Sequence, residues 1–425
     1  MTSAATAALA SEVSLEARLE QIAAAGYPTK RDEAWRYAPH AVLDRLSFGL
    51  PGTSEDEIFF EIDAQIPALN GPRIVLVNGV FHEAYSDTTA LPLGLDLSMP
   101  DCATASGAAS AAGSAANSLA NQVDSGVQLF ADAYLALNAA FSGDGVVVHV
   151  GPGVHLDTPI HIVMISTLTD THNTSCSKLA IQVDAGSSAT VVETKLGIGS
   201  ELVGANTRTT ISLADSATLD HVVVQDVPSA QVHLSRTEVA QSAKSQLRAR
   251  LFNLGATYGR LAYEVHLAGE GARVDLSGLY FGSGDQTLDQ QISVVHAAKN
   301  CTSRQAFRGV LDDESTGVFN GAIEVCPGAD GTDAMQSNDN LLLSNRAAAN
   351  TQPRLEILAD DVACKHGATV GQLDAEAMYY LRTRGIAPDE ARRLLINGFA
   401  DQAVQEVGIE VLRTWIAQRL GHGNE

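Results

Sequence analysis

Residues 183–191 read Val183-Asp184-Ala185-Gly186-Ser187-Ser188-Ala189-Thr190-Val191, and thirty residues on the phrase returns as Leu213-Ala214-Asp215-Ser216-Ala217-Thr218-Leu219. In both copies an aliphatic residue is followed by a small or acidic turn and then by a β-branched run. Outward from this pair the same texture marks Val150-Gly151-Pro152-Gly153, Val239-Ala240-Gln241-Ser242, Leu267-Ala268-Gly269-Glu270, Val295-His296-Ala297-Ala298, Val325-Cys326-Pro327-Gly328 and Leu358-Ala359-Asp360-Asp361. Successive aliphatic residues are 33, 30, 26, 28, 28, 30 and 33 positions apart. Two positions before the turn stand Ile181, Ile211, Thr237, Val265 and Ile323, mainly apolar or β-branched. A period near 29 with two strands per repeat predicts a β-solenoid, in which each turn points alternate residues into a core shared only with its neighbours. A β-sandwich, with strands every 8–12 residues or so, would not preserve so long a period.

The solenoid reading covers 145–371, and the texture differs on either side. Residues 1–144 form a mixed N-terminal region. Leu15, Leu19 and Ile22 predict an amphipathic helix closed by Gly26 and Pro28, the stretch 58–80 is strand-like, and 126–141 is helical. Between them, 103–118 is a run of small residues that reads as a flexible surface loop. Residues 372–425 predict a helical domain. Asp374 caps a helix over 375–384 that Gly385 stops, Pro388 opens a second, and a third runs from about Asp401 to Leu420. Appended to a solenoid, such a bundle is expected to stand free to dock a partner.

Composition narrows the function. The 27 basic residues against 50 acidic ones give a net charge of −23, which argues against a nucleic-acid partner. No apolar run approaches the ~20 residues of a membrane span, and the Ala-rich start lacks the basic head and apolar centre of a secretory signal. Five scattered cysteines do not suggest a disulfide framework, and a cytoplasmic protein is expected. Phosphate-loop, dinucleotide-loop, HExxH, GxSxG and CxxC signatures are all missing.

One segment carries candidate chemistry, Asp360-Asp361-Val362-Ala363-Cys364-Lys365-His366-Gly367-Ala368-Thr369-Val370-Gly371. Cys364 and His366, two apart on an extended strand, point to one face and can approach one metal, with Lys365 expected to favour the thiolate. A lone Cys-x-His pair is weak evidence for ligation, since most such pairs are a packed thiol and a solvated imidazole. Cys301 and Cys326 fall at turns and read as structural, and Asp312-Asp313-Glu314 reads as a solvated loop.

The stretch from Asp360 to Ile386, continued by Pro388-Asp389-Glu390-Ala391-Arg392-Arg393-Leu394-Leu395-Ile396-Asn397-Gly398-Phe399, closely resembles the C-terminal signature of the SufB/SufD scaffold family of iron–sulfur cluster assembly. Asp32-Glu33-Ala34-Trp35-Arg36-Tyr37, Leu137-Asn138-Ala139-Ala140-Phe141, Asn340-Leu341-Leu342-Leu343-Ser344 and Pro353-Arg354-Leu355-Glu356-Ile357 extend the resemblance over nearly the whole chain. It implies a mainly β fold, a right-handed parallel β-helix flanked by N- and C-terminal helical regions. Asn338 stands where the SufB branch carries a cysteine thought to accept persulfide sulfur, so the chain looks like the SufD branch. The family mechanism then implies a non-catalytic subunit that pairs with SufB through the β-helix and binds the ATPase SufC through its C-terminal helices. ATP-driven pairing of SufC would open the SufB–SufD interface, where a nascent iron–sulfur cluster forms from iron, sulfur and electrons, the last from a reduced flavin. The resemblance places the interface ligands at His366 and Cys364, and Tyr380, Leu381, Arg384 and Gly385 at the SufC surface. Homodimerisation in isolation, a self-sufficient SufB-like scaffold, and a β-helix carbohydrate-active enzyme are the competing expectations. The last would need aromatic stacking platforms, yet aromatics are 5% of the chain.

Overall fold

The computed structural model describes residues 26–49, 65–98, 133–143, 145–169 and 172–422. The expected helix around Leu15, the loop at 103–118, and the portions 58–64 and 126–132 lie outside the described residues. Two short strands, β1 (Arg73–Val77) and β2 (Val80–Phe81), are followed by β3 (Leu95–Ser98) and helix α1 (Ala133–Phe141). The solenoid then begins with β4 (Val146–Val150), β5 (Ile160–Ser166), β6 (Thr174–Val183) and β7 (Ser188–Gly197). It continues through β8 (Gly204–Leu213), β9 (Thr218–Asp226), β10 (Val232–Gln241), β11 (Gln246–Asn253), β12 (Tyr258–Leu267) and β13 (Arg273–Gly282). The last turns are β14 (Thr287–His296), β15 (Thr302–Leu311), β16 (Thr316–Val325), β17 (Thr332–Leu342), β18 (Ala348–Ile357) and β19 (Val362–Gln372).

Even-numbered strands from β4 to β18 stack parallel in one sheet and odd-numbered strands from β5 to β19 in the other, so two strands make each turn of a parallel β-solenoid. The register corrects part of the sequence reading. Val150, Val183, Leu213, Leu267 and Val325 share one file, but Gln241 and His296 occupy it where Val239 and Val295 were expected. Thr237 likewise aligns with Thr209, one inward position earlier than expected. Both unexpected residues are buried and bonded, Gln241 to Ser245 Oγ at 3.2 Å and His296 to Ser303 Oγ at 2.9 Å. A hydrogen-bonded polar side chain fills an interior file as well as an aliphatic one, so apolarity alone misplaces the period by one or two residues.

The turns stack as tightly as the strands. At one corner Gly186, Ser216, Lys244, Gly271 and Asn300 all adopt positive φ. Each gives its N–H to the carbonyl of the next turn, Ser216 to Ala243 at 2.9 Å and Lys244 to Glu270 at 3.0 Å among them. This is why small and turn-forming residues recur at the period.

The first turn of the solenoid is closed by antiparallel strands, β2 on β1 and β3 on β4. On the even sheet the N-terminal elements pack through Trp35, whose ring stacks on Tyr134 at 5.0 Å and lies 3.9 Å beneath the Arg260 guanidinium. Three helices follow β19: α2 (Ala375–Thr383), α3 (Pro388–Val404) and α4 (Glu410–His422). The third helix therefore starts nine residues later than the expected Asp401, because residues 401–404 continue α3.

The expectation of a free bundle is also corrected. Ile396, Ala400, Ala403 and Val404 of α3, with Leu412 and Ile416 of α4, are buried in one cluster with Val192, Val222, Val224, Phe252, Leu279, Phe281 and Val310. These solenoid residues alternate with the interior ones, so they lie on the outer face of the odd sheet. Ion pairs fasten the edges, Arg392 to Asp312 at 3.0 Å and Arg250 to Glu406 at 3.1 Å. Among the described residues, no helix is long and apolar enough to cross a membrane.

Candidate functional site

The candidate site is built by the last turn. In β17, Thr332, Ala334, Gln336, Asn338 and Asn340 are buried and point into the solenoid. Register carries this inward file to β19, pairing Ala334 with Cys364, Gln336 with His366, and Asn338 with Ala368. Cys364 and His366 thus continue the interior file, as two-residue spacing on a strand requires. No further turn covers them: β19 ends its sheet and β18 ends the other. His366 is exposed, while Cys364 is half-buried against a cluster containing Ile323, Val325, Ala329 and Ala334.

An exposed edge of this kind is unusual. Parallel strands are normally covered on both faces, and an open row of N–H and C=O groups is a template for pairing with another chain. Where the first turn is closed by antiparallel strands, the last leaves Ile357 and Val370 exposed on its two strands.

The chemistry of the pair is uneven. Burial pushes the Cys364 thiol up, and the nearby Asp333 carboxylate pushes in the same direction. This corrects the role expected of Lys365. Alternation turns Lys365 to the opposite face of β19, and Cys364 is a thiol rather than a stabilised thiolate at neutral pH. Cys326 and Cys301 are likewise pushed up, chiefly by burial, and Cys301 is fully enclosed. Among the described residues, no three His, Cys, Asp or Glu side chains converge to hold a metal. Asp312 and Glu314 are tied to Arg392 and Arg346, so the acidic loop braces the C-terminal helices and the corner of the next turn.

Sequence reasoning passed over the polar interior beneath this edge. Asn338 is enclosed, giving Nδ2 to Tyr280 Oη at 3.0 Å and to the Phe307 carbonyl at 3.4 Å. Asn340 gives Nδ2 to Asn338 Oδ1 at 2.8 Å and to the Thr369 carbonyl of β19 at 3.2 Å. The available signal was the alternation Gln336, Asn338, Asn340, which sets amides along one face of a strand.

The remaining candidates lie on α2, which starts three residues after β19, and on the two residues that follow it. Asp374 caps it, accepting from Glu376 N at 2.8 Å, and Gly385 ends it at φ +86. α2 buries none of its residues. Tyr379 and Tyr380 are 69% and 56% exposed, Leu381 is half-buried, and the Arg384 guanidinium lies 5.0 Å over the Tyr380 ring. The structure therefore keeps Tyr380, Leu381, Arg384 and Gly385 together on an outer surface, apart from the Cys364–His366 file.

Comparison with known proteins accounts for the architecture. The family profile described as SUF system FeS cluster assembly, SufBD core domain, matches residues 166–399, and the SufBD protein N-terminal region matches 8–162. The chain is 28% identical over 399 residues to an iron–sulfur cluster assembly SufBD family protein of Synechocystis sp., covering 92% of this chain and 86% of that one. It is 27% identical over 406 residues to the iron–sulfur cluster assembly protein SufD of Escherichia coli, covering 95% and 90%. A SufBD family protein of Mycobacterium leprae is 31% identical over 293 residues, covering 67% and 73%.

Proposed function

The chain belongs to the SufBD family of iron–sulfur cluster assembly proteins, and from that premise we propose that it is a non-catalytic scaffold subunit of the SufD type. Its partners in this reading are a paralogous β-solenoid subunit, SufB, and the ATPase SufC. The paralogue pairs with the open edge of β18 and β19, and the ATPase binds the exposed face of α2. The cluster is cargo, assembled where the two solenoids meet and handed on.

The observation that carries this reading is the uncovered interior file of β19, which brings an imidazole and a thiol to an unpaired edge. Both are competent iron ligands, and two ligands from one chain leave the rest of the coordination to a second. A site divided between chains can be opened by separating them, which a donor scaffold requires. Asn338 supports the SufD-type role, because an enclosed amide bonded to Tyr280 cannot carry a persulfide. In the absence of the paralogue, the same edge is open to a second copy of this chain.

The test is anaerobic reconstitution of the three-protein complex with iron and a sulfur donor. His366→Ala should leave assembly and ATPase activity intact and abolish most of the visible iron–sulfur absorbance. The stability change should be about 1 kcal/mol or less, as for other exposed positions. If the variant prevents assembly instead, His366 is a packing residue. Cys364→Ala should show a similar or milder loss.

A further inference from the structure

Gln305, Gln336 and His366 occupy one inward file on three successive turns. Gln336 Nε2 donates to Gln305 Oε1 at 2.7 Å, so the two amides begin a ladder along the solenoid axis. Gln336 is 1% exposed, yet its Oε1 has no partner among the described residues. An amide whose NH2 is committed to the preceding turn presents its oxygen toward the following one. The next side chain in the file is His366, which is exposed and whose imidazole makes no hydrogen bond among the described residues. The opposite sheet makes room for this arrangement. A Cβ at Gly321 would lie 2.4 Å from Gln336 Nε2 and 2.7 Å from its Cδ, so the glycine leaves the space the amide fills.

We propose that Gln336 is a positioning residue for His366, its enclosed oxygen accepting one imidazole N–H when a partner covers the edge. The bond satisfies a buried acceptor that is otherwise costly to leave empty. It also fixes the ring tautomer, so that the lone pair of the other nitrogen faces out of the solenoid. Outer partners of this kind orient metal-binding imidazoles and raise their basicity. The functional consequence rests on the reading of His366 as a ligand, but the hydrogen bond does not.

The experiment labels only this chain with [15N]histidine in the reconstituted complex and reads the His366 ring-nitrogen shifts before iron is added. The neutral ring should be a single tautomer in the wild type and a mixture in Gln336→Met. It should be single again in Gln336→Glu, where Gln305, whose Nε2 is also unpartnered, can turn to donate to the carboxylate. Gly321→Ala, which displaces the amide from across the interior, should also give the mixture and serves if Gln336→Met fails to assemble. Iron retained at fixed free iron should fall about tenfold or more in Gln336→Met and recover in Gln336→Glu. A mixed tautomer in the wild type, or one unchanged by Gln336→Met, overturns the proposal. A cluster that survives His366→Ala removes the ligand reading instead, and the tautomer measurement still decides the bond.

Discussion

As the proposed ligands, Cys364 and His366 differ in what iron would ask of each. The imidazole offers a lone pair directly, whereas the Cys364 thiol, pushed up by burial and by Asp333, must lose a proton on binding. The pair was legible in the sequence because alternation on a strand is rigid. The acidity of the thiol was not, because it depends on packing against Ala334 and on which face Lys365 takes. Buried histidines make a separate prediction. Burial holds His296 down to about 4 and His161 down to about 3. Between an unfolded value near 6.5 and these folded values the unfolded chain binds more protons, so stability rises with pH across that window. Acidification from pH 6.5 to 4 should cost on the order of 3 kcal/mol at His296 alone, and the loss is complete once both states are protonated. Thermal melts of wild type and His296→Gln over that range check it, and parallel curves would contradict it.

Two elements, the terminal strand and the helix after it, carry the proposed contacts. The amides of β19 that face away from β17 have no strand to bond, so they should exchange hydrogen rapidly in the free chain. Adding the paralogous subunit should slow exchange in peptides spanning 362–372 at least tenfold while leaving β9 and β11 unchanged. Unaltered exchange there would place the solenoid contact elsewhere. For α2, the outer placement of Tyr380 and Arg384 makes point variants cleaner than truncation. Removing 373–425 would uncover Val192, Val222, Val224 and Phe252, so loss of binding would be confounded with loss of fold. Tyr380→Ala with Arg384→Glu should weaken ATPase binding tenfold or more and leave the melting temperature within a few degrees. Unchanged affinity in calorimetry would exclude this surface. The cap at Asp374 and the stop at Gly385 were readable from local chemistry. The packing of α3 and α4 had a signal in Val222-Val223-Val224, since a strand apolar on both faces is covered on both faces.

The whole molecule is a stack with unequal ends. Its first turn is closed by antiparallel strands, its outer faces carry the Trp35 element on one sheet and the C-terminal helices on the other, and its last turn is open. The period revealed the stack because each turn repeats the same steric demand for small residues at the corner. It blurred where hydrogen-bonded Gln241 and His296 took aliphatic places. Contacts between distant segments, such as Arg260 over Trp35, leave no periodic trace and were not readable. The central claim is that the open end brings His366 to the cargo. Pulsed electron paramagnetic resonance of the reduced cluster, assembled with [15N]histidine in this chain alone, tests it most directly. A 15N coupling of a directly bound nitrogen should be present in the wild type and absent from the small residue of cluster that His366→Ala retains. A cluster that forms in the wild type with no such coupling would contradict the account.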